Sequence, residues 1–202
     1  MNRLIEGYRQ FRETAWPAER QRFETLAREG QSPETMVIAC SDSRVAPERI
    51  FGAAPGELFV VRNVAGLVPP FEGDHGHHGT SAALEFAVRV LKVKRIAVLG
   101  HAQCGGIRVM LEGAPKEAKD FVEPWMELAT PALMALPGDI SGEAALHRCE
   151  EEVVKLSLAN LLTFPWIRDA VEAGRLELQG FRFGIQSGVL TQLDGDRFLP
   201  VL

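Results

Sequence analysis

Thr35-Met36-Val37-Ile38-Ala39-Cys40-Ser41-Asp42-Ser43-Arg44 and Arg95-Ile96-Ala97-Val98-Leu99-Gly100-His101-Ala102-Gln103-Cys104-Gly105-Gly106 decide the fold. In each, a short apolar run rich in β-branched residues leads into a polar block, and helical patterns follow. That grammar predicts βα units with a parallel sheet. Ligands in such sheets bind at the carboxyl ends of the strands. Cys40 and the His101/Cys104 pair therefore emerge side by side on one rim. Two thiolates and one imidazole form a three-ligand zinc set that leaves the fourth position for water. Either half alone reads equally well as packing, since a cysteine at a strand end is often a small buried hydrophobe. Asp42 and Arg44 tip the balance, because charges at a buried strand end are costly without a task.

Working outward, residues 2–14 and 17–29 read as two helices split by Trp16-Pro17, with Leu4, Ile5, Tyr8 and Phe11 on one face and Phe23 and Leu26 on the next. Gly30-Gln31-Ser32-Pro33 turns into the first strand, and Pro47 opens a short helical turn. Glu57–Arg62 is the second strand. A loop from Asn63 to Gly79 carries Pro69-Pro70 and the histidines His75, His77 and His78. Those histidines fit a solvated loop or a proton relay, and less well a second metal site. A helix follows over 81–91, the third strand over 95–100, and Gly105-Gly106 open a helix to about Leu111. Those glycines are turn chemistry, and they also let backbone N–H groups approach the metal site. Helical patterns cover about 117–135 and 142–161, and Thr163–Arg168 starts another. Leu176–Ile185 and Gly188–Leu193 are strand candidates, with Asp194-Gly195 a further turn. The expected fold is one α/β domain over 1–202: a central, mostly parallel sheet of four to five strands flanked by helices. The N-terminal helices of residues 1–29, too polar to form a core alone, either lie on that domain or form an N-terminal helical arm.

The 202 residues suit one domain with a substantial core. Hydrophobic content of 46% and charged content of 24% are ordinary for a soluble globular protein. A formal charge of −5 without like-charge runs argues against nucleic acid. No apolar stretch approaches the roughly 18–20 residues that span a bilayer, and the N-terminus lacks a signal-type apolar region. The three cysteines do not make a disulfide framework, which points to a reducing cytoplasm. Cys149 sits in a helical pattern and reads as core packing.

Cys40-Ser41-Asp42-Ser43-Arg44, followed by Gly100-His101-x-x-Cys104-Gly105-Gly106, resembles the β-class carbonic anhydrases. Arg62-Asn63-Val64-Ala65-Gly66 and Gly79-Thr80-Ser81-Ala82-Ala83-Leu84-Glu85-Phe86-Ala87 resemble that family's intervening segments. The resemblance implies a zinc lyase, one Zn²⁺ per chain on Cys40, His101 and Cys104, that interconverts CO₂ and bicarbonate through zinc-bound hydroxide. Asp42 would orient the reacting oxygen while Arg44 holds it bidentately. The rival reading of that pair is a structural ion pair at a helix start. In the family the aspartate can also swing onto zinc and close the site. In the plant-like subgroup a glutamine at the place of Gln31 comes from the neighbouring subunit to hold bicarbonate, and Phe59 and Val64 match apolar positions of the CO₂ pocket. Ala39 before Cys40 suits that subgroup, whose sites stay open. Phe86 departs from it, standing where the plant enzymes usually have tyrosine. Gly105 completes the pocket set. The resemblance also implies a homodimer or larger homo-oligomer embraced by the N-terminal arm.

Two thiolates offset the zinc charge, so hydration should still be rising above neutrality, unlike the pKa of about 7 with three histidines. Two alternatives stand beside this reading. One is a carbonyl sulfide or carbon disulfide hydrolase on the same site. The other is a non-catalytic, zinc-stabilised interaction protein, against which the Asp42/Arg44 pair weighs.

Overall fold

The structure, a computed structural model, describes residues 2–74 and 76–201. The expectation for His75 lies outside the described residues. In chain order the elements are α1 (Arg3–Glu29), β1 (Thr35–Cys40), α2 (Pro47–Ile50), β2 (Leu58–Asn63), α3 (Gly79–Glu85), β3 (Arg95–His101) and α4 (Gly105–Glu112). Then come α5 (Val122–Glu127), α6 (Thr130–Met134), α7 (Gly142–Leu161), α8 (Pro165–Glu172), β4 (Glu177–Phe183), β5 (Leu190–Asp194) and β6 (Arg197–Pro200).

The strands form one six-stranded sheet in the order β2-β1-β3-β4-β5-β6. β2, β1, β3 and β4 run parallel, and β5 and β6 are antiparallel additions. β1 and β3 are central, so both faces are covered and their residues are buried almost end to end. Alternation along β1 sends Met36 and Ile38 to one face and Val37 and Ala39 to the other. The first face meets Leu84 of α3, Val154 and Leu161 of α7, and Phe164 and Ile167 at α8. Each fully buried Leu, Ile or Phe there contributes about 1.5–3 kcal/mol of transfer free energy. The second face meets Val45, Ile50, Phe51 and Phe181.

Three expectations need correction. The sheet has six strands, not four or five: Asp194-Gly195 is the turn of a hairpin whose second strand, β6, pairs Arg197 with Asp194 and Pro200 with Thr191. Four residues ending in proline give too weak a signal for a strand, yet proline is tolerated where an edge strand needs no further ladder bond. The N-terminal region is one helix of 27 residues that runs through Pro17. The helix loses a hydrogen bond there, but Phe11, Trp16 and Phe23 close an aromatic cluster across the break, with centroids 5.2–6.4 Å apart. Arg12 adds a cation–π contact 5.0 Å from the Trp16 ring centroid. The pattern at 117–135 breaks into a 3₁₀ turn, α5 and α6, where Pro124 and Pro131 interrupt continuous helix formation.

None of the residues of α1 is buried. Its C-terminal half docks through Arg22, which donates to the Pro55 carbonyl (2.5 Å) and to Glu57 (3.1 Å), and through Leu26 against Gly56. Its N-terminal half leaves Leu4 80% and Tyr8 61% exposed.

Candidate metal centre

β1 ends on Cys40 and β3 ends on His101, and the two strands are hydrogen-bonded neighbours. Cys104 caps the N-terminus of α4 three residues after His101. The backbone brings the three donors together because Gln103, between the ligands, takes a left-handed conformation (φ 55°) that doubles the chain back. The Cys40 and Cys104 sulfurs are 3.9 Å apart, and both lie within 4.8 Å of a histidine nitrogen. All three residues are buried.

Three observations fit Zn²⁺. The His101 Nδ1–H donates to the Ala102 carbonyl at 2.9 Å, which fixes the tautomer and leaves Nε2 as the free lone pair. That Nε2 is buried and finds no hydrogen-bond partner among the described residues, a costly state unless something else binds it. The hydrogen bond between the two sulfurs pulls the Cys40 thiol far down and pushes the Cys104 thiol up. Only a cation between them lets both ionise.

The shell around the ligands is built from main chain held by side chains. Arg62 donates from Nε to the Cys40 carbonyl (2.9 Å) and from Nη2 to the carbonyls of Asp42 and Val45 (both 2.7 Å), fastening the turn after β1. Asn63, in register with Cys40, bridges to Leu67 in both directions. Gly66 sits at φ +64°, and a Cβ there would lie 3.1 Å from the Ala39 carbonyl carbon and the Cys40 nitrogen. Only glycine lets the loop pass so close beneath the ligand. Arg62, Asn63 and Gly66 are quoted in the resembling segment, but no role for them follows without the β1–β2 register.

Asp42 and Arg44 form one unit. Arg44 donates Nε–H to Oδ1 (2.9 Å) and Nη2–H to Oδ2 (2.7 Å), and its backbone N–H adds 2.9 Å to Oδ1. This grip holds the Asp42 carboxyl well below the usual carboxylate range. Arg44 Nη2 also donates to the Gln103 carbonyl (3.0 Å), tying the aspartate to the His101–Cys104 turn.

The pocket residues divide in two. Val64 lies against Gly106, next to Gly105, and its carbonyl accepts Trp125 Nε1–H at 2.8 Å. Phe59 is four residues back from Asn63 along β2, about 13 Å at strand rise. It stacks on Phe86, with centroids 5.8 Å apart, and Phe86 is 43% exposed. Gln31 is exposed before β1, at the end of the strand opposite Cys40. Gln31, Phe59 and Phe86 therefore stand apart from this chain's own metal ligands. In the histidine loop, His78 pairs with Asp74 (2.7 Å) and Glu72 (3.7 Å). His77 and His78 line a surface cavity with Phe71, Phe164 and Trp166 whose lining includes none of Cys40, His101 and Cys104. Cys149 is fully buried and its thiol is pushed up to about 12, first by burial.

The carboxyl-edge site on a parallel sheet, with two thiolates, one imidazole and an acidic residue clamped beside them, defines a zinc-dependent hydrolytic or hydrating enzyme. The carbonic anhydrase family profile matches residues 35–190. Beta carbonic anhydrase 3 of Arabidopsis thaliana is 34% identical over 202 residues, covering 96% of this chain and 78% of the relative. The structure of the β-carbonic anhydrase CcaA superposes with a TM-score of 0.91 at 31% identity, over 99% of this chain and 91% of that one. A tetrameric β-carbonic anhydrase of the ascomycete Sordaria macrospora gives 0.80 at 28% identity, over 98% and 97%. The chain belongs to the carbonic anhydrase family, in its β class. It is a zinc lyase of the carbonic anhydrase type, and Cys40, His101 and Cys104 are placed to hold the metal.

Proposed function

We propose that this chain interconverts CO₂ and bicarbonate at an open site, with Asp42 and Arg44 as its catalytic pair. The single observation that carries the reading is the two-armed grip of Arg44 on Asp42. Cys40, His101 and Cys104 would hold zinc, and zinc held there would make a water acidic enough to act as nucleophile near neutrality. Every other part falls to the protein. Asp42, kept ionised by Arg44, accepts the hydrogen bond of the attacking water and aims its oxygen at the CO₂ carbon. Because both carboxylate oxygens are engaged by Arg44, Asp42 is held back from joining Cys40, His101 and Cys104 as a further ligand. Val64 lines an apolar wall for CO₂, and the backbone at Gly105 approaches without a side chain in the way. The proton leaves to bulk buffer.

Gln31, Phe59 and Phe86 serve a second copy of the chain. Their distance from this chain's own ligands and the exposure of Phe86 support that role, and the exposed face of α1 supports an arm that embraces the partner. The assembly is at least a homodimer, and three free cysteines favour a cytoplasmic setting. No described helix is long and apolar enough to cross a membrane. The reading as a zinc-stabilised interaction protein is disfavoured by a metal set of only three protein ligands, since structural zinc sites close with four.

The test is stopped-flow CO₂ hydration with metal analysis on wild type and Asp42→Asn. One zinc per chain, rapid turnover in wild type and a loss of about 10²-fold or more in Asp42→Asn are expected. A zinc-loaded wild type without turnover would refute the reading.

A further inference from the structure

Glu150 on α7 is 1% exposed, one of the few buried charges among the described residues. Its Oε2 accepts both Nε–H (3.0 Å) and Nη2–H (2.7 Å) of Arg182 on β4. Its Oε1 accepts the backbone N–H of Cys104 at 3.3 Å. A buried carboxylate is expensive unless each oxygen has a partner, and here both do. Nothing local in Glu150-Glu151-Glu152 marks this residue out from its neighbours.

The placement bears on the metal. Cys104 caps α4 with extended backbone (φ −67°, ψ 120°), so its N–H lies outside the helix ladder and needs another acceptor. Arg182 pairs in register with Gly100, one residue before the ligand His101. At Gly100 a Cβ would stand 2.6 Å from Val154 Cγ2, so α7 lies directly on β3 beside the ligand turn. Cys40 is held through Arg62, and the His101 ring through the Ala102 carbonyl. Among side chains with a described hydrogen bond to the Cys104 backbone N–H, the carboxylate is Glu150.

We propose that Glu150, clamped by Arg182, is a positioning residue for zinc: it fixes the main chain at Cys104 so that the sulfur stays in line with Cys40 and His101. Arg182 offsets the cost of burying the carboxylate, and the oxygen facing the Cys104 N–H sets the ligand. This inference rests on the three-ligand reading of the site.

Two double variants separate positioning from simple fold support. Glu150→Gln/Arg182→Met removes the ion pair but keeps an oxygen for the Cys104 N–H. Glu150→Met/Arg182→Met removes both. Zinc affinity is read by chelator competition, ligand geometry by the thiolate-to-cobalt absorption of the Co²⁺-substituted protein, and fold by thermal unfolding of the zinc-free protein. The glutamine variant should keep zinc affinity within about threefold of wild type and an unchanged cobalt band. The methionine variant should lose about 10–100-fold in affinity, the size usual for an outer partner of a metal ligand, with an altered band. Equal affinity in the two variants, whether both kept or both lost, would overturn the proposal. If the methionine variant does not fold, Glu150→Ala/Arg182→Met, which likewise leaves the Cys104 N–H without an acceptor, takes its place with the same expected loss, and an affinity equal to that of the glutamine variant overturns the proposal. A wild type that binds no zinc would remove the site itself, and the role of Glu150 with it.

Discussion

Arg44 and Asp42 meet in a fork, Nε to Oδ1 at 2.9 Å and Nη2 to Oδ2 at 2.7 Å, and the same Nη2 reaches the Gln103 carbonyl at 3.0 Å. One guanidinium thus joins the turn after β1 to the turn between two metal ligands. Charge-assisted, bidentate bonds of this type are roughly twice as strong as neutral ones and fix orientation as well as distance. That geometry fixes the orientation of the Asp42 carboxylate beside the metal ligands.

Arg44→Ala should release Asp42 to close the site. A fall in kcat/KM for CO₂ hydration of about 10–100-fold is expected, with zinc content unchanged. The decisive comparison is the same assay at alkaline pH, where an enzyme as fast as wild type would show that no clamp is needed.

Cys104→Ser should lose zinc and turnover together, since oxygen of a serine hydroxyl is a poor substitute for thiolate. Metal analysis and stopped-flow hydration on one preparation would show it. Prolonged chelation of the wild type should reproduce the loss, and added zinc should restore activity. Zinc at a thousand times its dissociation constant would stabilise the fold by about 4 kcal/mol.

Gly66→Ala should destabilise the protein by about 2–4 kcal/mol, from a left-handed backbone and a crowded contact beneath Cys40 together. At this chain length each kcal/mol lowers Tm by about 2–4 °C. Zinc affinity should fall as well, because the displaced backbone belongs to Ala39 and Cys40. An unchanged Tm in calorimetry would mean the loop gives way freely.

Removal of residues 1–29 should leave a monomer in light scattering, with CO₂ hydration lost, if α1 is the arm that completes the neighbouring site. Phe86→Ala is the milder probe: its zinc content should match wild type while KM for CO₂ rises. An active monomer after truncation would contradict the shared site.

The local signals in the sequence determined much of this protein. Apolar runs ending in Cys40 and His101 dictated buried parallel strands, and the residues at their ends are chemical types that serve little else together. The 142–161 helix was legible from its period and matches α7 end to end. What stayed hidden depends on contacts between segments remote in the chain. Pro17 marks a helix break locally, but Phe11, Trp16 and Phe23 meet across it and the helix continues. β6 is too short to announce itself and exists because β5 offers it a ladder. The separation of Phe59 and Phe86 from Cys40 follows from strand register, which no single segment carries. Glu150 is the sharpest case. Nothing in its sequence neighbours marks it for burial, while Arg182, 32 residues away, and Cys104, 46 residues away, offset the cost of that burial. Periodicity and residue type report which chemistry a segment can do; only the packed sheet and α7 decide which charges face one another in the dark.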